Sequence, residues 1–314
     1  MSENKPKIYI DGQSGTTGLQ IRERLAARED LKLLTIPEEK HRDAAVRKEY
    51  MNRADLVFFC LPDAAAEEAA QMIENPKTRV IDASTAHRTS EGWSYGIPEL
   101  APEYREAIRQ AKRVANPGCH ASGFIVSVYP LVRQGIIPAD LPLTAFSLTG
   151  YSGGGKKMIA AYEAEDRPAE LSAPRVYGLN LHQKHLPEMT KICGLKVPPV
   201  FLPVVDDYYK GMAVSVMLHN SELNGVQRAE DVWKKLSDRY AGEPVIHVHP
   251  FGWDGMISAN TLAGSDALEV IVNGTAEQTV ITALFDNLGK GASGAAVQNM
   301  NLMLGFLETE GLNL

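Results

Sequence analysis

The first third of the chain alternates short apolar runs with segments in which apolar residues recur every three or four positions. The apolar runs predict strands at Lys7–Asp11, 31–36, 55–61, Arg79–Asp82 and Arg113–Ala115. The segments between them predict helices at 18–28, 43–52, 64–73 and 102–112. Continuous apolar strands that alternate with helices are typical of a parallel sheet covered on both faces. This part of the chain therefore predicts a Rossmann-type domain.

The pattern changes after Pro142. Further apolar runs predict strands with few helices between them, at 143–148, 200–205, 212–218, 245–248 and 268–272. Such spacing is typical of a mostly antiparallel sheet. Apolar helices are predicted at 124–132 and 293–307. The predicted fold class is therefore α/β with an α+β part: a Rossmann-type parallel-sheet domain and a second, mostly antiparallel-sheet domain.

Composition narrows the class of protein. The chain has 314 residues, which is enough for two domains, and its net charge of −7 argues against a nucleic-acid or anionic-membrane surface. No apolar run reaches the roughly 18–20 residues that span a bilayer, and the polar N-terminus does not resemble a signal peptide. The three cysteines, Cys60, Cys119 and Cys193, have no CxxC spacing. We therefore expect a cytoplasmic protein without a disulfide framework or a zinc site.

A glycine-rich loop follows the first strand. Residues 12–18, GQSGTTG, lead from the strand Lys7–Asp11 into a helix. Glycines let the backbone approach a pyrophosphate, and a helix N-terminus offers N–H donors and a positive dipole. The loop has a serine where the usual dinucleotide motif has its second glycine, and an ordinary tight turn is the alternative. We expect cofactor contacts from Gly12, Ser14, Gly15, Thr16, Thr17 and Gly18.

The end of the second predicted strand bears on the choice of dinucleotide. An NAD site usually has an acidic residue there for the ribose hydroxyls. Here the strand ends in Thr-Ile-Pro, and the basic residues Lys40, His41 and Arg42 follow. Glu38 and Glu39 complicate this interpretation, since either could face the ribose. We favour NADP(H), with Arg42 at the 2′-phosphate; a solvated charge run is the alternative.

Cys119 is the candidate nucleophile. It follows Pro117 and Gly118 and begins an apolar helix, whose dipole favours the nucleophilic thiolate. It also lies beyond a predicted strand, where open α/β sheets build their sites. Cys60 and Cys193 lie in apolar or helical patterns and fit small buried side chains instead.

A thiolate that attacks an acyl group needs a proton donor and acceptor, which is usually histidine. The densest polar cluster is residues 182–188, HQKHLPE, at a predicted junction of loop and helix. His247 and His249 share one face of a predicted strand, but a third metal ligand is not apparent, so we expect them to be structural and expect no metal.

Two further segments suit anion binding. Residues 149–157, TGYSGGGKK, place three glycines after a strand, where backbone N–H groups can bind a phosphate or carboxylate; a flexible hairpin is the alternative. Residues 82–88, DASTAHR, close another strand and bring Arg88 toward the same edge. Its guanidinium suits bidentate phosphate binding, and a surface salt bridge is the alternative.

Together these segments resemble the N-acetyl-gamma-glutamyl-phosphate reductase family in its shorter form, through almost the whole chain. The resemblance rests on residues 12–18, 82–88, 116–119 (NPGC), 152–155, 185–188 (HLPE) and 291–301. It implies NADPH-dependent reduction of N-acetyl-gamma-glutamyl phosphate to N-acetylglutamate 5-semialdehyde, with release of phosphate, in arginine biosynthesis. Cys119 would form a thioester with the acyl group, and His185 would be the acid and base.

The resemblance also implies roles for other residues. Substrate contacts would come from Ser84, Arg88, Asn116, Ser152 and Gly153, and further cofactor contacts from Gly154 and Gln298, the latter at the nicotinamide carboxamide. The last helix would return to the nucleotide domain. The predicted domains are therefore 1–118 with 291–314, which binds NADP, and 119–290, for catalysis, substrate binding and oligomerisation. His120 departs from the aromatic residue of the longer branch and competes with His185 as the base.

Three other functions stay open at this point. The first is an aspartate-semialdehyde dehydrogenase-like acyl-phosphate reductase, and the second is an inactive NADP-binding regulator. The third is a reductase whose acyl group arrives on an acidic carrier protein. The expected partners are a small acyl phosphate or semialdehyde and further copies of the chain, as a dimer or tetramer, without nucleic acid or membrane.

Overall fold

The computed structural model describes residues 5–314, apart from the side chain of Glu38. These residues form two compact units, 5–117 with 292–312 and 118–291 with 313–314. Within residues 5–314, no helix combines the length and apolarity needed to cross a membrane.

The first unit contains one parallel sheet. Its strands are β1 (Lys7–Asp11), β2 (Lys32–Leu34), β3 (Leu56–Phe59), β4 (Arg79–Asp82), β5 (Ser94–Tyr95) and β6 (Arg113–Ala115). The helices between them are α1 (Thr16–Ala26), α2 (Ala44–Arg53), α3 (Asp63–Met72) and α4 (Pro102–Gln110). The six strands lie in the order β2-β1-β3-β4-β6-β5, and each pairs in parallel with its neighbours. The predicted Rossmann-type sheet is confirmed.

Alternation along the strands gives this sheet a core on each face. In β1, Ile8 and Ile10 join one apolar cluster and Tyr9 joins the other. In β3, Phe58 and Phe59 divide in the same way. Strands buried on both faces need apolar residues at every position, which explains why the sequence pattern located them so well.

The second unit contains a mixed sheet. Its strands are β7 (Thr144–Gly150), β8 (Arg175–Val176), β9 (Val200–Asp206), β10 (Met212–His219), β11 (Ile246–Val248), β12 (Leu268–Gly274) and β13 (Gln278–Phe285). Its helices are α5 (Cys119–Arg133), α6 (Gly155–Glu163), α7 (Leu186–Cys193) and α8 (Ala229–Tyr240). The strand order is β11-β12-β13-β10-β7-β9-β8. The pairs β7–β9 and β11–β12 are parallel and the other four are antiparallel, so the sheet is mostly antiparallel, as predicted.

The two faces of the second sheet differ. Helices α5 and α8 pack on one face. Gly123 lets α5 approach closely, because an added Cβ would lie 2.7 Å from Val214 Cγ2 and 2.9 Å from Phe285 Cε1. The opposite face, which we call the open face, carries exposed apolar side chains on strands β9, β10 and β13: Val200, Leu202, Met217 and Val280.

The last helix, α9 (Gly294–Leu304), belongs to the first unit. Its residues Val297, Met300 and Met303 join the cluster that contains Ile8 and Phe58. The helix ends before Gly305, which adopts a left-handed conformation with φ of 78°.

Some elements of the second unit lie outside the predictions. Helices α6 and α8 and strand β13 were not among the predicted elements, so the expectation of few helices between the strands is wrong. Helix α6 begins directly after a run of glycines, which are poor helix formers. Helix α8 buries Val232, Leu236 and Tyr240, which are four residues apart. The sequence therefore does contain a helical pattern for this element.

Candidate active site

Cys119 is the first residue of α5, as predicted. The helix is fifteen residues long and buried over almost its whole length, so its dipole acts in a poorly screened environment. Cys119 itself is half-buried. A helix N-terminus favours the thiolate over the thiol.

The start of α7 contributes a histidine–carboxylate pair, with His185 just before the helix and Glu188 in its first turn. His185 and Glu188 are both buried, and His185 Nδ1 lies 2.9 Å from Glu188 Oε1. The carboxylate holds the proton on Nδ1, which leaves Nε2 for proton exchange. A ring nitrogen of His185 lies within 4.8 Å of Cys119 Sγ.

Glu188 also ties this pair to the nucleophile's helix, because its Oε2 accepts a hydrogen bond from the backbone N–H of Gly118 at 3.2 Å. Sequence reasoning assigned no role to Glu188. The spacing of three residues between His185 and Glu188, across a helix start, was the available signal.

His120, the competing base, has hydroxyl partners at both nitrogens. Nδ1 lies 2.8 Å from Ser147 Oγ, and Nε2 lies 2.7 Å from the Tyr177 hydroxyl. Burial lowers the pKa of His120 well below its usual value, and the nearby charges of His185 and Lys184 lower it further. The ring is therefore neutral. It packs edge-on against the ring of His185, with 5.2 Å between the ring centroids. The sequence analysis did not predict Ser147 and Tyr177. Both lie far from His120 in the sequence, and a single hydroxyl residue is not part of a recognisable local motif.

The other two cysteines are packing residues. Burial raises the pKa of the Cys60 and Cys193 thiols far above the usual value, so both stay protonated. For Cys60 the negative charges of Asp82 and Asp11 add to the effect. These observations agree with the predicted roles of both residues.

The predicted anion-binding glycines lie in a turn of the second unit. Ser152 is buried in the turn Tyr151–Gly154, while Gly153 and Gly154 are exposed. The Ser152 N–H donates to the Tyr209 carbonyl at 3.0 Å, and its Oγ accepts from Asn287 Nδ2 at 3.0 Å. The turn continues directly into α6, so the segment is not the flexible hairpin of the alternative interpretation.

The glycines in the loop between β1 and α1 have different structural roles. Gly12 has φ of 85°, and an added Cβ would overlap the Cys60 carbonyl oxygen. An added Cβ at Gly18 would overlap the Gly12 carbonyl oxygen. Gly15 precedes α1 and has room, because its nearest neighbour would lie at 3.5 Å. Gly12 and Gly18 therefore build the turn, and Gly15 leaves space beside the helix N-terminus. Ser14 is exposed in this loop, and Thr16 and Thr17 open α1.

The region after β2 contains Arg42 and a missed arginine. Arg42 is exposed, and the neighbouring His41 has Nε2 2.7 Å from the Ile36 carbonyl oxygen. Arg47 on α2 forms two hydrogen bonds with Asp11 at the end of β1, from Nη2 to Oδ2 at 2.7 Å and from Nε to Oδ1 at 3.2 Å. Arg47 thus neutralises a buried carboxylate at the strand end, a pairing that sequence reasoning did not predict.

Ser84 belongs to a polar cluster at the end of β4. Asp82 is fully buried and accepts from the Ser84 N–H at 2.8 Å and from Ser84 Oγ at 2.7 Å. His87 Nδ1 lies 2.6 Å from the same carboxylate, and its ring stacks on Trp93 at 4.0 Å.

Arg88 and Asn116 meet in this part of the first unit. Arg88 Nε donates to the Asn116 carbonyl at 3.1 Å. The Asn116 amide group is held within the unit: Nδ2 donates to the Ala292 carbonyl at 2.9 Å, and Oδ1 accepts from Asn299 at 3.2 Å. The sequence-predicted residues Ser84, Arg88 and Asn116 thus lie at the carboxyl ends of the neighbouring strands β4 and β6.

Gln298 is fully buried in α9. Its Nε2 donates to Glu99 Oε1 at 2.6 Å and to Glu308 Oε1 at 2.9 Å. These bonds give Gln298 a structural role in the first unit that was not predicted; contact with nicotinamide stays a prediction.

One of the two histidines near β11, His249, is held by a carboxylate. His249 Nε2 lies 2.6 Å from Glu269 Oε2, and the Trp253 ring packs edge-on against His249. His247 is exposed on β11. The contacts of His249 agree with the structural role expected for it, and the role of His247 stays a prediction.

Two family models match consecutive parts of the chain. "Semialdehyde dehydrogenase, NAD binding domain" matches residues 7–111, and "Semialdehyde dehydrogenase, dimerisation domain" matches residues 119–287. N-acetyl-gamma-glutamyl-phosphate reductase 2 of Pseudomonas putida is 46% identical over 98% of this chain and 99% of its own. The reductase of Rhizobium meliloti is 47% identical over 96% and 99%. The chain belongs to the N-acetyl-gamma-glutamyl-phosphate reductase family. The resemblance inferred from the motifs is thereby confirmed.

Solved structures extend the fold beyond this reductase family. Aspartate semialdehyde dehydrogenase II of Vibrio cholerae, complexed with ASA, has a TM-score of 0.74 at 19% identity and covers 96% of this chain and 99% of its own. The aspartate semialdehyde dehydrogenase of Francisella tularensis has a TM-score of 0.71 at 13% identity, over 94% and 99%. At these identities the likeness shows a shared fold.

Proposed function

We propose that this chain catalyses the NADPH-dependent reduction of N-acetyl-gamma-glutamyl phosphate to N-acetylglutamate 5-semialdehyde, with release of phosphate, in arginine biosynthesis. The observation that carries the proposal is the arrangement of Cys119, His185 and Glu188 at the start of α5. Membership of the reductase family supplies the substrate. The proposed location is the cytoplasm, where the thiol of Cys119 stays reduced.

The first task of the site is to form a thiolate. His185 takes the Cys119 proton at Nε2, and Glu188 stabilises the resulting imidazolium through Nδ1. His120 suits this task poorly, because its ring is kept neutral and both nitrogens are engaged with hydroxyl groups. We therefore assign the acid and base role to His185.

The thiolate then attacks the acyl carbon. The carbon–sulfur bond forms, the carbon–oxygen bond to phosphate breaks, and phosphate leaves with the bonding electrons. The thioester retains the activation of the acyl phosphate. The backbone N–H of Cys119, at the start of α5, is our candidate donor to the oxyanion of the tetrahedral intermediate.

When bound in the first unit, NADPH would supply the hydride that reduces the thioester carbonyl. The resulting alkoxide collapses, the carbon–sulfur bond breaks and the aldehyde leaves. The imidazolium of His185 stabilises the thiolate that is released, so the same pair acts at both stages.

The first unit fits a dinucleotide. Gly12 and Gly18 pack the loop tightly, and Gly15 leaves room for a phosphate beside the α1 N-terminus. We assign the pyrophosphate to residues 12–18 and the 2′-phosphate of NADP(H) to Arg42, which is exposed after β2. Gly154 and Gln298 keep their proposed places near the nicotinamide.

For the substrate, we assign the phosphate and carboxylate groups to Ser84, Arg88, Asn116, Ser152 and Gly153. Arg88 is the central member of this set, since a guanidinium can bind phosphate through two parallel hydrogen bonds. Its Nε is already fixed by the Asn116 carbonyl, which limits the number of orientations of the side chain.

We also propose that the protein is a homodimer, or a tetramer built from dimers, that forms through the second unit. The matching family model for residues 119–287 is described as a dimerisation domain. The open face offers apolar side chains from three strands for such an interface.

The test is the reverse reaction. Purified protein receives N-acetylglutamate 5-semialdehyde, phosphate and NADP⁺, and NADPH formation is followed by absorbance beside a Cys119→Ser variant. We expect phosphate-dependent NADPH formation that the variant lacks. Faster turnover with aspartate semialdehyde would favour the aspartate-type enzyme, and tight NADP⁺ binding without turnover of either aldehyde would favour the inactive regulator.

A further inference from the structure

Three metal-ligating side chains meet at the start of α5. The sulfur of Cys119 and one ring nitrogen each of His120 and His185 lie within 4.8 Å of one another. Cys119 is half-buried and both histidines are buried. A thiolate and two imidazoles form a ligand set that favours Zn²⁺.

Both histidines also have the outer hydrogen bonds that are typical of metal ligands. Glu188 holds the Nδ1 proton of His185, so Nε2 has the lone pair that a metal needs. His120 has a hydroxyl partner at each nitrogen, Ser147 and Tyr177, so whichever nitrogen binds a metal, the other can donate to a hydroxyl oxygen.

We propose that Cys119, His120 and His185 form a three-ligand Zn²⁺ site with its fourth position open, and that zinc inhibits the enzyme by occupying its nucleophile. The catalytic proposal gives His120 no chemical step, whereas this site gives its buried, neutral ring a function. The ion and the acyl substrate compete for the same sulfur, so inhibition is competitive with the acyl phosphate and is reversed by a chelator.

The geometry needs a small adjustment. A tetrahedral ion with Zn–S of about 2.3 Å and Zn–N of about 2.0 Å holds its ligand atoms roughly 3.3–3.6 Å apart. Ligand atoms within 4.8 Å of one another must therefore move closer by about 1.5 Å at most. Side-chain rotation supplies this movement. The hydroxyl group at the metal-binding nitrogen of His120 must turn away at the same time.

Cobalt is the probe for this site, because a thiolate–Co²⁺ bond gives a near-ultraviolet charge-transfer band and tetrahedral Co²⁺ absorbs strongly in the visible. The full-length protein is titrated with Co²⁺ without substrate or cofactor, and Zn²⁺ is then added. We expect one ion per chain, displacement of Co²⁺ by Zn²⁺, and protection of Cys119 from iodoacetamide by Zn²⁺.

The variants separate the ligands. Cys119→Ser removes the thiolate band. His120→Asn weakens Co²⁺ binding at least about tenfold, since losing a direct ligand should cost no less than the 10–100-fold that losing an outer partner costs. His182→Asn, which changes an exposed histidine outside the cluster, leaves binding unchanged.

A wild-type protein without the thiolate band, or a His120→Asn variant that binds Co²⁺ as tightly as wild type, overturns the three-ligand site. If His120→Asn does not fold, His120→Tyr keeps an aromatic ring at this position and serves in the same comparison. The cobalt spectrum needs no turnover, so its result is independent of the reductase assay.

Discussion

Burial decides the charge of His120 and makes stability depend on pH. Its pKa is lowered in the folded state, while the unfolded chain takes up a proton below about 6.5. The stabilisation is therefore fully present above about pH 6.5 and is lost as the pH falls, by at most about 1.4 kcal/mol per pH unit. We expect His120→Asn to reduce this slope. Urea unfolding at about pH 5 and about pH 7 measures the difference in the free energy of unfolding between the two pH values.

The exposed His182 supplies the control for this measurement. His182→Asn should leave the difference between the two pH values as it is in the wild type. If His120→Asn also leaves it unchanged, His120 is not a source of the acid sensitivity.

Glu188 is expected to control the reactivity of Cys119 through His185. Glu188→Gln keeps the shape of the side chain but removes the charge that stabilises the His185 imidazolium. We expect the apparent pKa for formation of the Cys119 thiolate to rise. The rate of iodoacetamide alkylation, measured against pH, reports this pKa. We also expect kcat to fall by about 100-fold or more, because proton transfer supplies that much. An unchanged alkylation profile would contradict the positioning role.

At the scale of residues, the sequence pointed to the proposed site residues that lie in a recognisable local pattern. Cys119 stands out because a turn and an apolar helix flank it, and His185 because of the short motif around it. Ser147 and Tyr177 meet His120 from distant parts of the second unit. Such contacts depend on sheet register and tertiary packing, and a single hydroxyl residue has no local pattern that reveals them.

At the scale of elements, the contact between α5 and the second sheet depends on a glycine. Gly123→Ala places a Cβ 2.7 Å from Val214 Cγ2, so helix or sheet must shift. We expect a loss of about 1–3 kcal/mol in the free energy of unfolding, measured in denaturant. Gly153→Ala is the control: its nearest neighbour would lie at 3.5 Å, so stability should hold or rise slightly. Equal losses in both variants would refute the packing argument.

The loop between β1 and α1 allows binding and folding to be separated. Gly15→Ala fits the backbone, since φ is −71° and the nearest atom lies at 3.5 Å, but it fills the space proposed for the pyrophosphate. We expect unchanged stability and about tenfold weaker NADPH binding, the loss of roughly one charged hydrogen bond. Fluorescence titration measures the affinity for NADPH, and thermal unfolding measures the stability of the variant.

Gly12→Ala is the matched comparison within the same loop. It combines a positive φ with overlap at the Cys60 carbonyl, so it should destabilise the protein by about 2 kcal/mol or more. The assignment of separate roles fails if Gly15→Ala is the more destabilising of the two.

The elements of the first unit were easier to predict than those of the second. Strands β1, β3 and β4 are buried on both faces and therefore have continuous apolar sequences. Strand β13 has one face partly exposed, so polar residues interrupt its first half. Its length is set by its pairing with β10 and β12. This pairing cannot be read from the residues of the strand alone.

At the scale of the whole molecule, the open face of the second sheet is expected to set the oligomeric state. Val280→Glu places a charge among apolar side chains without touching the opposite, helix-covered face. We expect the variant to shift toward monomer in sedimentation velocity and to keep its secondary structure by circular dichroism. Glu277→Gln, at an exposed position beside β13, should sediment as wild type. A Val280→Glu variant with wild-type sedimentation places the interface elsewhere.

The return of α9 to the first unit has a consequence for synthesis on the ribosome. The apolar core around Ile8 and Phe58 needs Val297, Met300 and Met303, which lie more than 230 residues later in the chain. The second unit lies almost wholly between the two segments of the first, so nearly all of it has been translated before these residues appear. One face of the sheet in the N-terminal segment therefore lacks these side chains until α9 has been made, and during that interval this segment is the part of the nascent chain most in need of a chaperone.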